Sequence, residues 1–332
     1  MARVAGTASK PVHPGFEQMF QPGRLTLGVF FPIEAFEGAN PTMRNQVALA
    51  QRAEALGFTA LWFRDVPLLD PNFGDIGQIY DPWVYLGYIA AQTRSIALVT
   101  GAIILPLRHP LHVAKAAASV DELSGRRLVL GVATGDRPVE FPAFGKGWEE
   151  RGQRFRESLD FIRRAWAERF PYIDSPWGHM SGADLVPKPP AGWIPTLVTG
   201  HSQQPIEWIA RHSDGWIMYP RPPQVQQRVV SEWRRATEEA APSVFKPFAQ
   251  SLYIDLAHDP DEPPRPIHLG YRLGRNVLIE LLNTLQAIGV NHVALNLKYG
   301  QRPAHEVLEE VGEYVLPHFR AQTAATKSKS SG

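Results

Sequence analysis

The sequence predicts a single (β/α)₈ TIM barrel with insertions on its C-terminal face, and three observations predict it. Short apolar runs alternate with amphipathic stretches eight times along the 332-residue chain. The runs are apolar almost throughout, as expected of parallel strands covered on both faces. Their combined span fits a closed barrel, which typically needs ~250 residues or somewhat more. An open doubly wound sheet would carry a Gly-rich turn after its first strand, whereas this one ends in Phe30-Phe31-Pro32. Two smaller α/β domains would need a linker, and no Ser/Gly-rich segment divides the chain.

The first strand is read at Leu25–Phe31, followed by a helix over Thr42–Leu56 that stops at Gly57. Strand Thr59–Phe63, a long loop and helix Trp83–Gln92 come next. Ser95–Leu105 reads as one strand, followed by the Ala-rich helix Leu111–Leu123. Strand Arg127–Ala133 leads to the long helix Glu149–Phe170. The second half continues with strand Thr196–Gly200, helix Pro205–His212, strand Asp214–Tyr219 and helix Pro223–Ala241. It closes with strand Ala249–Ala257, helix Asn276–Ile288, strand His292–Leu297 and a last helix over Pro303–Phe319. Two connections, Pro171–Pro195 and His258–Arg272, are long enough to be expected over an active site. Residues 1–23 read as a peripheral N-terminal extension, 24–319 as the barrel and 320–332 as a small, polar, flexible tail.

Composition removes several function classes. With 34 basic and 33 acidic residues there is no basic excess for nucleic acid or an acidic membrane. The absence of cysteine excludes disulfides, thiolate catalysis and cysteine–metal centres, and it suits a reducing compartment. Prolines and glycines interrupt the first 24 residues, so no secretory leader is read there, and the expected location is the cytoplasm. The 11 histidines show no metal-ligand spacing, so no metal site is expected. No Gly-x-Ser-x-Gly elbow supports a hydrolase.

In a barrel the working residues sit at the C-terminal strand ends. LGVATGDRP (Leu130–Pro138) ends a strand in small residues, which lets backbone approach a flat ligand; a tight turn is the plainer reading. VTGHSQQP (Val198–Pro205) sets Gly200, His201, Ser202 and Gln203 before a helix, where free N–H groups suit a phosphate and Ser202 could equally be an ordinary cap. LRHP places Arg108 and His109 at a third strand end, as a pair facing a ligand or as a surface Arg beside a turn. RDVP adds Arg64 and Asp65, which alternate in facing, so at most one is expected to line a pocket. Phe31, Trp62, Tyr80, Trp83, Tyr219 and Asn296 are candidate walls of a substrate cleft, the aromatics being alternatively core.

GAIILPLRHPLHVAKAAASVDELSGRRLVLGVATGDRP (Gly101–Pro138) resembles the central signature of the bacterial luciferase-like flavin monooxygenases. ERGQRFRESLDFIRRAW (Glu150–Trp166), PTLVTGHSQQPIEWIARHSDGW (Pro195–Trp216) and GVNHVALNL (Gly289–Leu297) extend the likeness from about Arg24 to Phe319. RDVPLLDPNFGDIGQIYDPW (Arg64–Trp83) is similar to the subgroup called luciferase-type oxidoreductases. The resemblance implies a barrel, usually dimeric, that uses FMN or, alternatively, 8-hydroxy-5-deazaflavin. The FMN is reduced by a partner reductase, and dioxygen and a small organic substrate are the co-substrates. It implies a flavin face at Gly101, Ala102, Ala133, Thr134 and Gly135, with a cis peptide at Gly101-Ala102. The phosphate is implied near Gly200, His201, Ser202 and Gln203. Light-emitting members carry two histidines after the second strand. Asp65-Val66 stands there instead, so bioluminescent aldehyde oxidation is not expected. Arg108, His109 and Asp65 become the catalytic candidates. A deazaflavin-dependent hydride-transfer enzyme and a non-catalytic flavin-binding protein are the competing functions.

Overall fold

The structure is a computed structural model that describes residues 12–320. Eight parallel strands close into a barrel: β1 (Thr26–Phe30), β2 (Ala60–Phe63), β3 (Ala97–Thr100), β4 (Leu128–Ala133), β5 (Thr196–Thr199), β6 (Gly215–Met218), β7 (Phe248–Leu256) and β8 (His292–Asn296). Each pairs with the next, and β8 returns to β1 with Thr26 opposite His292, which closes the ring. Helices lie between the strands, as the alternation predicts.

Apolar side chains separate into two layers by strand periodicity. Leu27, Val29, Leu61, Phe63 and Leu98 face outward and pack under the helices. Phe30, Trp62, Val99, Val129, Leu197 and Ala294 point inward and fill the barrel. At two inward points only glycine fits. A Cβ on Gly131 would stand 1.9 Å from the Thr100 carbonyl oxygen, and one on Gly28 would stand 2.8 Å from His292 Nε2.

The structure departs from the sequence expectations at identifiable places. Part of the N-terminal extension is packed rather than peripheral: Pro14–Met19 forms a short helix at the foot of the barrel, and Met19 and Phe20 join the inner layer. His13 begins that helix and its Nε2 lies 3.1 Å from Asp121 Oδ1, both side chains fully buried. The expected strand Ser95–Leu105 is interrupted by the cis peptide Gly101-Ala102 and resumes as the short strand Ile103–Ile104. The expected helix from Thr42 starts at Gln46, because Met43 and Asn45 have positive φ. The last helix is regular only over Ala304–Glu310. It then widens into a π turn over Val311–Val315, where Gly312 lies against Leu56, and tightens into a 3₁₀ turn carrying Pro317.

Among the described residues no helix is long and apolar enough to cross a membrane, and no cluster of three metal-ligating side chains occurs.

Candidate active site

A cavity of about 720 Å³ opens at the C-terminal ends of the strands. Its floor is made of small residues: Gly101 and Ala102 after β3, and Ala133, Thr134 and Gly135 at the end of β4. Trp62 and Phe30 lie beneath; a Cβ on Gly101 would stand 2.8 Å from the Trp62 ring. Gly135 has φ +87°, and a Cβ there would stand 2.9 Å from Ile104. A flat, bulk-free floor over a packed aromatic layer results.

One side of the cavity is the turn after β5. Gly200, Ser202 and Gln203 all have positive φ, and Ser202 Oγ donates back to the Thr199 carbonyl at 2.8 Å. Thr199 lines the cavity, and its hydroxyl is buried without a partner. Helix Arg151–Ala167 clamps this turn from outside. Arg156 Nη1 donates to Gln204 Oε1 at 2.9 Å, and Gln204 Nε2 donates to the Gly152 carbonyl at 2.9 Å. A Cβ on Gly152 would stand 2.7 Å from Gln203 Cβ, so only glycine lets the helix come this close.

The opposite wall is polar and internally paired. Arg64, just past β2, grips Asp75 with both terminal nitrogens, at 2.8 and 3.1 Å. Asp75 also accepts from the Gly77 amide at 2.8 Å and the Tyr253 hydroxyl at 3.3 Å. Burial penalises its charge, but Arg64 outweighs the penalty and holds the carboxyl below the usual range. Arg137 donates to the Asp75 carbonyl at 2.6 Å and lies over the Phe73 ring. Glu140 is buried with one carboxyl oxygen unpartnered, and burial pushes its pKa up to about 7 against the pull of Arg137.

The chain matches the family described as luciferase-like monooxygenase over residues 25–264. The chain belongs to that family. This luciferase-like protein is an enzyme, a flavin-dependent oxidoreductase. It is 30% identical to an uncharacterised protein of Mycobacterium tuberculosis over 242 residues, which is 67% of this chain and 83% of the relative. In fold it is similar to the monooxygenase RslO1 from Streptomyces bottropensis, with a TM-score of 0.74 at 21% identity, covering 89% of this chain and 100% of that one. An F420-dependent secondary alcohol dehydrogenase, solved with an F420–acetone adduct, also gives a TM-score of 0.74, at 17% identity, covering 90% of this chain and 99% of that one.

Of the residues predicted from sequence, this luciferase-like barrel brings Asp65, Gly101, Ala102, Ala133, Thr134, Gly135, Gly200, Ser202, Tyr219 and Asn296 together around the cavity. Arg64 lines it beside Asp65, where at most one of that pair was expected, because both lie past the end of β2, where strand alternation no longer holds. His201 and Gln203 stand outside its lining; His201 is exposed, edge-on to Trp216 at 5.5 Å. Ser202 does not cap the following helix, which begins after Pro205 without a side-chain cap.

Four cleft assignments are corrected. Phe31 is fully buried outside the barrel wall against Phe63 and Tyr85, because its odd step along β1 turns it to the outer layer. Trp62 is below the floor, and Trp83 packs on the outer core. Tyr80 instead borders a separate depression of about 470 Å³.

Arg108 and His109 border that same depression and do not line the large cavity. Arg108 closes on Asp65 through two 2.7 Å bonds, and Asp65 also accepts from the Ile104 amide. His109 caps the helix Pro110–Leu123 through Nδ1 and meets the Trp177 carbonyl through Nε2 at 2.8 Å. Both nitrogens are therefore committed. Of the two long connections, only His258–Arg272 reaches the cavity, through His268 and Leu269; Pro171–Pro195 contributes nothing to its lining. Sequence reasoning missed Asp75, Glu140, Tyr253 and Tyr299, while Arg137 lies within the strand-end motif LGVATGDRP. A glutamate inside the apolar run PVEFPAF was the available signal for Glu140.

Proposed function

We propose that the cavity binds reduced FMN and that the enzyme is a monooxygenase using dioxygen on a small organic substrate. A separate reductase would supply the reduced flavin. The observation that carries this reading is the floor of Gly101, Ala102, Ala133, Thr134 and Gly135 ending beside the Thr199–Ser202 turn. Such a floor suits a flat ring, and the turn suits its phosphate. The buried, unpartnered Thr199 hydroxyl fits this role, since an orphaned donor is costly unless a ligand satisfies it.

When bound, the flavin supplies the electrons and the site of oxygen activation. The chain's own residues do the rest. Gly101 and Gly135 admit the ring, Thr199 and the amides around Ser202 hold the phosphate, and helix Arg151–Ala167 keeps that turn in shape through Gln204. Trp62 and Phe30 exclude water from below. Asp65, itself in the cavity lining, braces the wall by accepting from the Ile104 amide and Arg108.

Titration with oxidised and reduced FMN tests the reading. Saturable binding with oxygen uptake on adding reduced FMN is expected, and no binding at millimolar flavin overturns it. Similarity to the F420-dependent dehydrogenase favours a second reading, hydride transfer with a deazaflavin. Hydride exchange with that cofactor, without oxygen uptake with reduced FMN, would select it. A cytoplasmic homodimer is proposed from the family likeness, and sedimentation of the purified chain tests the dimer.

A further inference from the structure

The mouth of the cavity carries three rings in mutual contact. Tyr253 comes from β7, His268 from the turn between strands Arg265–Ile267 and Gly270–Leu273, and Tyr299 from the loop after β8. Tyr253 lies 5.9 Å from His268 and 5.3 Å from Tyr299, and His268 lies 5.7 Å from Tyr299, between ring centroids. Three separate chain segments thus converge to build one aromatic surface, which offers stacking and edge contacts to another ring.

The buried cations nearby are already engaged, and an orphaned carboxyl oxygen, on Glu140, favours no anion. Arg64 is closed on Asp75, Arg137 on the Asp75 carbonyl, and Asp65 on Arg108. Lys298 turns away to the Gly38 carbonyl and sits over the Phe36 ring. An anionic ligand would have to pull Arg64 from Asp75, leaving a buried carboxylate uncompensated, or draw Arg137 from the Leu68 and Asp75 carbonyls it serves. Asp136, exposed at the rim, adds repulsion. A neutral ligand disturbs none of this.

Two of the polar groups at the mouth, the phenols of Tyr253 and Tyr219, offer acceptors. Burial raises the pKa values of Tyr253 and Tyr219, so both remain phenols at neutral pH. Their protons point to Asp75 and Asp136, at 3.3 and 3.5 Å, which leaves the lone pairs of both phenol oxygens for a ligand donor.

We propose that the substrate is an uncharged aromatic compound bearing a hydroxyl or amine donor, stacked against Tyr253, His268 and Tyr299. That this ligand is the substrate rests on the flavin reading above; that the cavity prefers it does not. Calorimetric titration of the full chain with 2-naphthol, 2-naphthoate and naphthalene, without and then with FMN, tests the preference. 2-Naphthol should bind about tenfold more tightly than either of the others. Tyr299→Ala, at the exposed rim, should weaken 2-naphthol several-fold, and Tyr253→Phe should narrow its advantage over naphthalene. Equal or tighter binding of 2-naphthoate overturns the proposal, as does 2-naphthol binding indifferent to both variants. If FMN fails to bind while the 2-naphthol preference persists, the flavin reading falls and the ligand preference stands. If FMN binds and 2-naphthoate is preferred, the substrate class alone is wrong.

Discussion

The indole nitrogen of Trp62 donates to Nε2 of His292 at 3.0 Å, across the interior of the barrel. That bond fixes the tautomer, because His292 Nδ1 must then carry the proton it shares with Thr26 Oγ1 at 2.7 Å. Thr26 passes the chain on to the Met19 carbonyl at 2.7 Å, so a polar thread ties three strands and the N-terminal helix together.

Burial pushes the pKa of His292 from 6.5 down to about 3. The unfolded chain takes up this proton more readily than the folded one, so its stabilising contribution is full above about 6.5 and is lost as pH falls toward 3. His292→Phe should cost roughly 1–3 kcal/mol at neutral pH by orphaning the Trp62 donor. It should also flatten the acid limb. Urea unfolding at pH 7 and pH 5 measures both effects, and an unchanged acid limb would refute the assignment.

Glu140 gives the opposite sign. Its pKa is raised from 4.5 to about 7, so the folded state holds the proton longer, and stability is full below 4.5 and lost as pH rises through 7. Glu140→Gln mimics the protonated acid. The variant should match the parent near pH 4.5 and exceed it by roughly 1–2 kcal/mol near pH 8. A variant less stable than the parent at pH 8 would show that Glu140 is paired in solution.

Thr199→Val removes the orphaned hydroxyl beside the proposed phosphate position. FMN affinity should fall by roughly 1–3 kcal/mol, the order for a lost bond to a charged group, while riboflavin affinity barely changes. Equal losses for both ligands would place the phosphate elsewhere. Ser202→Ala should act less strongly, since Ser202 Oγ already serves the Thr199 carbonyl.

Asp75→Asn releases Arg64 from its ion pair. The folded state should lose about 3 kcal/mol, because a nearly buried guanidinium is left without its counter-charge. The same variant should gain affinity for 2-naphthoate, which chemical denaturation and calorimetry measure separately. No gain in anion binding would mean that Arg64 is turned away from the ligand.

The barrel was legible because its signal is repeated and local: eight apolar runs, each long enough to be read alone. The small-residue floor was legible for the same reason, since Gly101, Ala102 and Ala133–Gly135 sit at strand ends that the fold class picks out. The polar wall was not. Arg64 and Asp65 are neighbours in sequence and both line the cavity, yet Arg64 pairs with Asp75 and Asp65 pairs with Arg108, 43 residues away, partners that only the folded loops bring near. Arg108 and His109 have the chemistry of a site but spend it on Asp65 and on a helix start. Sequence reveals which groups are reactive, and packing decides which remain unspent. The convergence of Tyr253, His268 and Tyr299 depends on three connections meeting in space, which no local pattern encodes.

The helix Pro14–Met19 has a consequence for traffic. With Met19 and Phe20 corking the lower end and the Trp62 layer filling the bore above them, ligands have the upper mouth as their route. Flavin, substrate and product must then share one doorway. Their order of entry and exit becomes a matter of queueing: whichever occupant sits deepest enters first and leaves last.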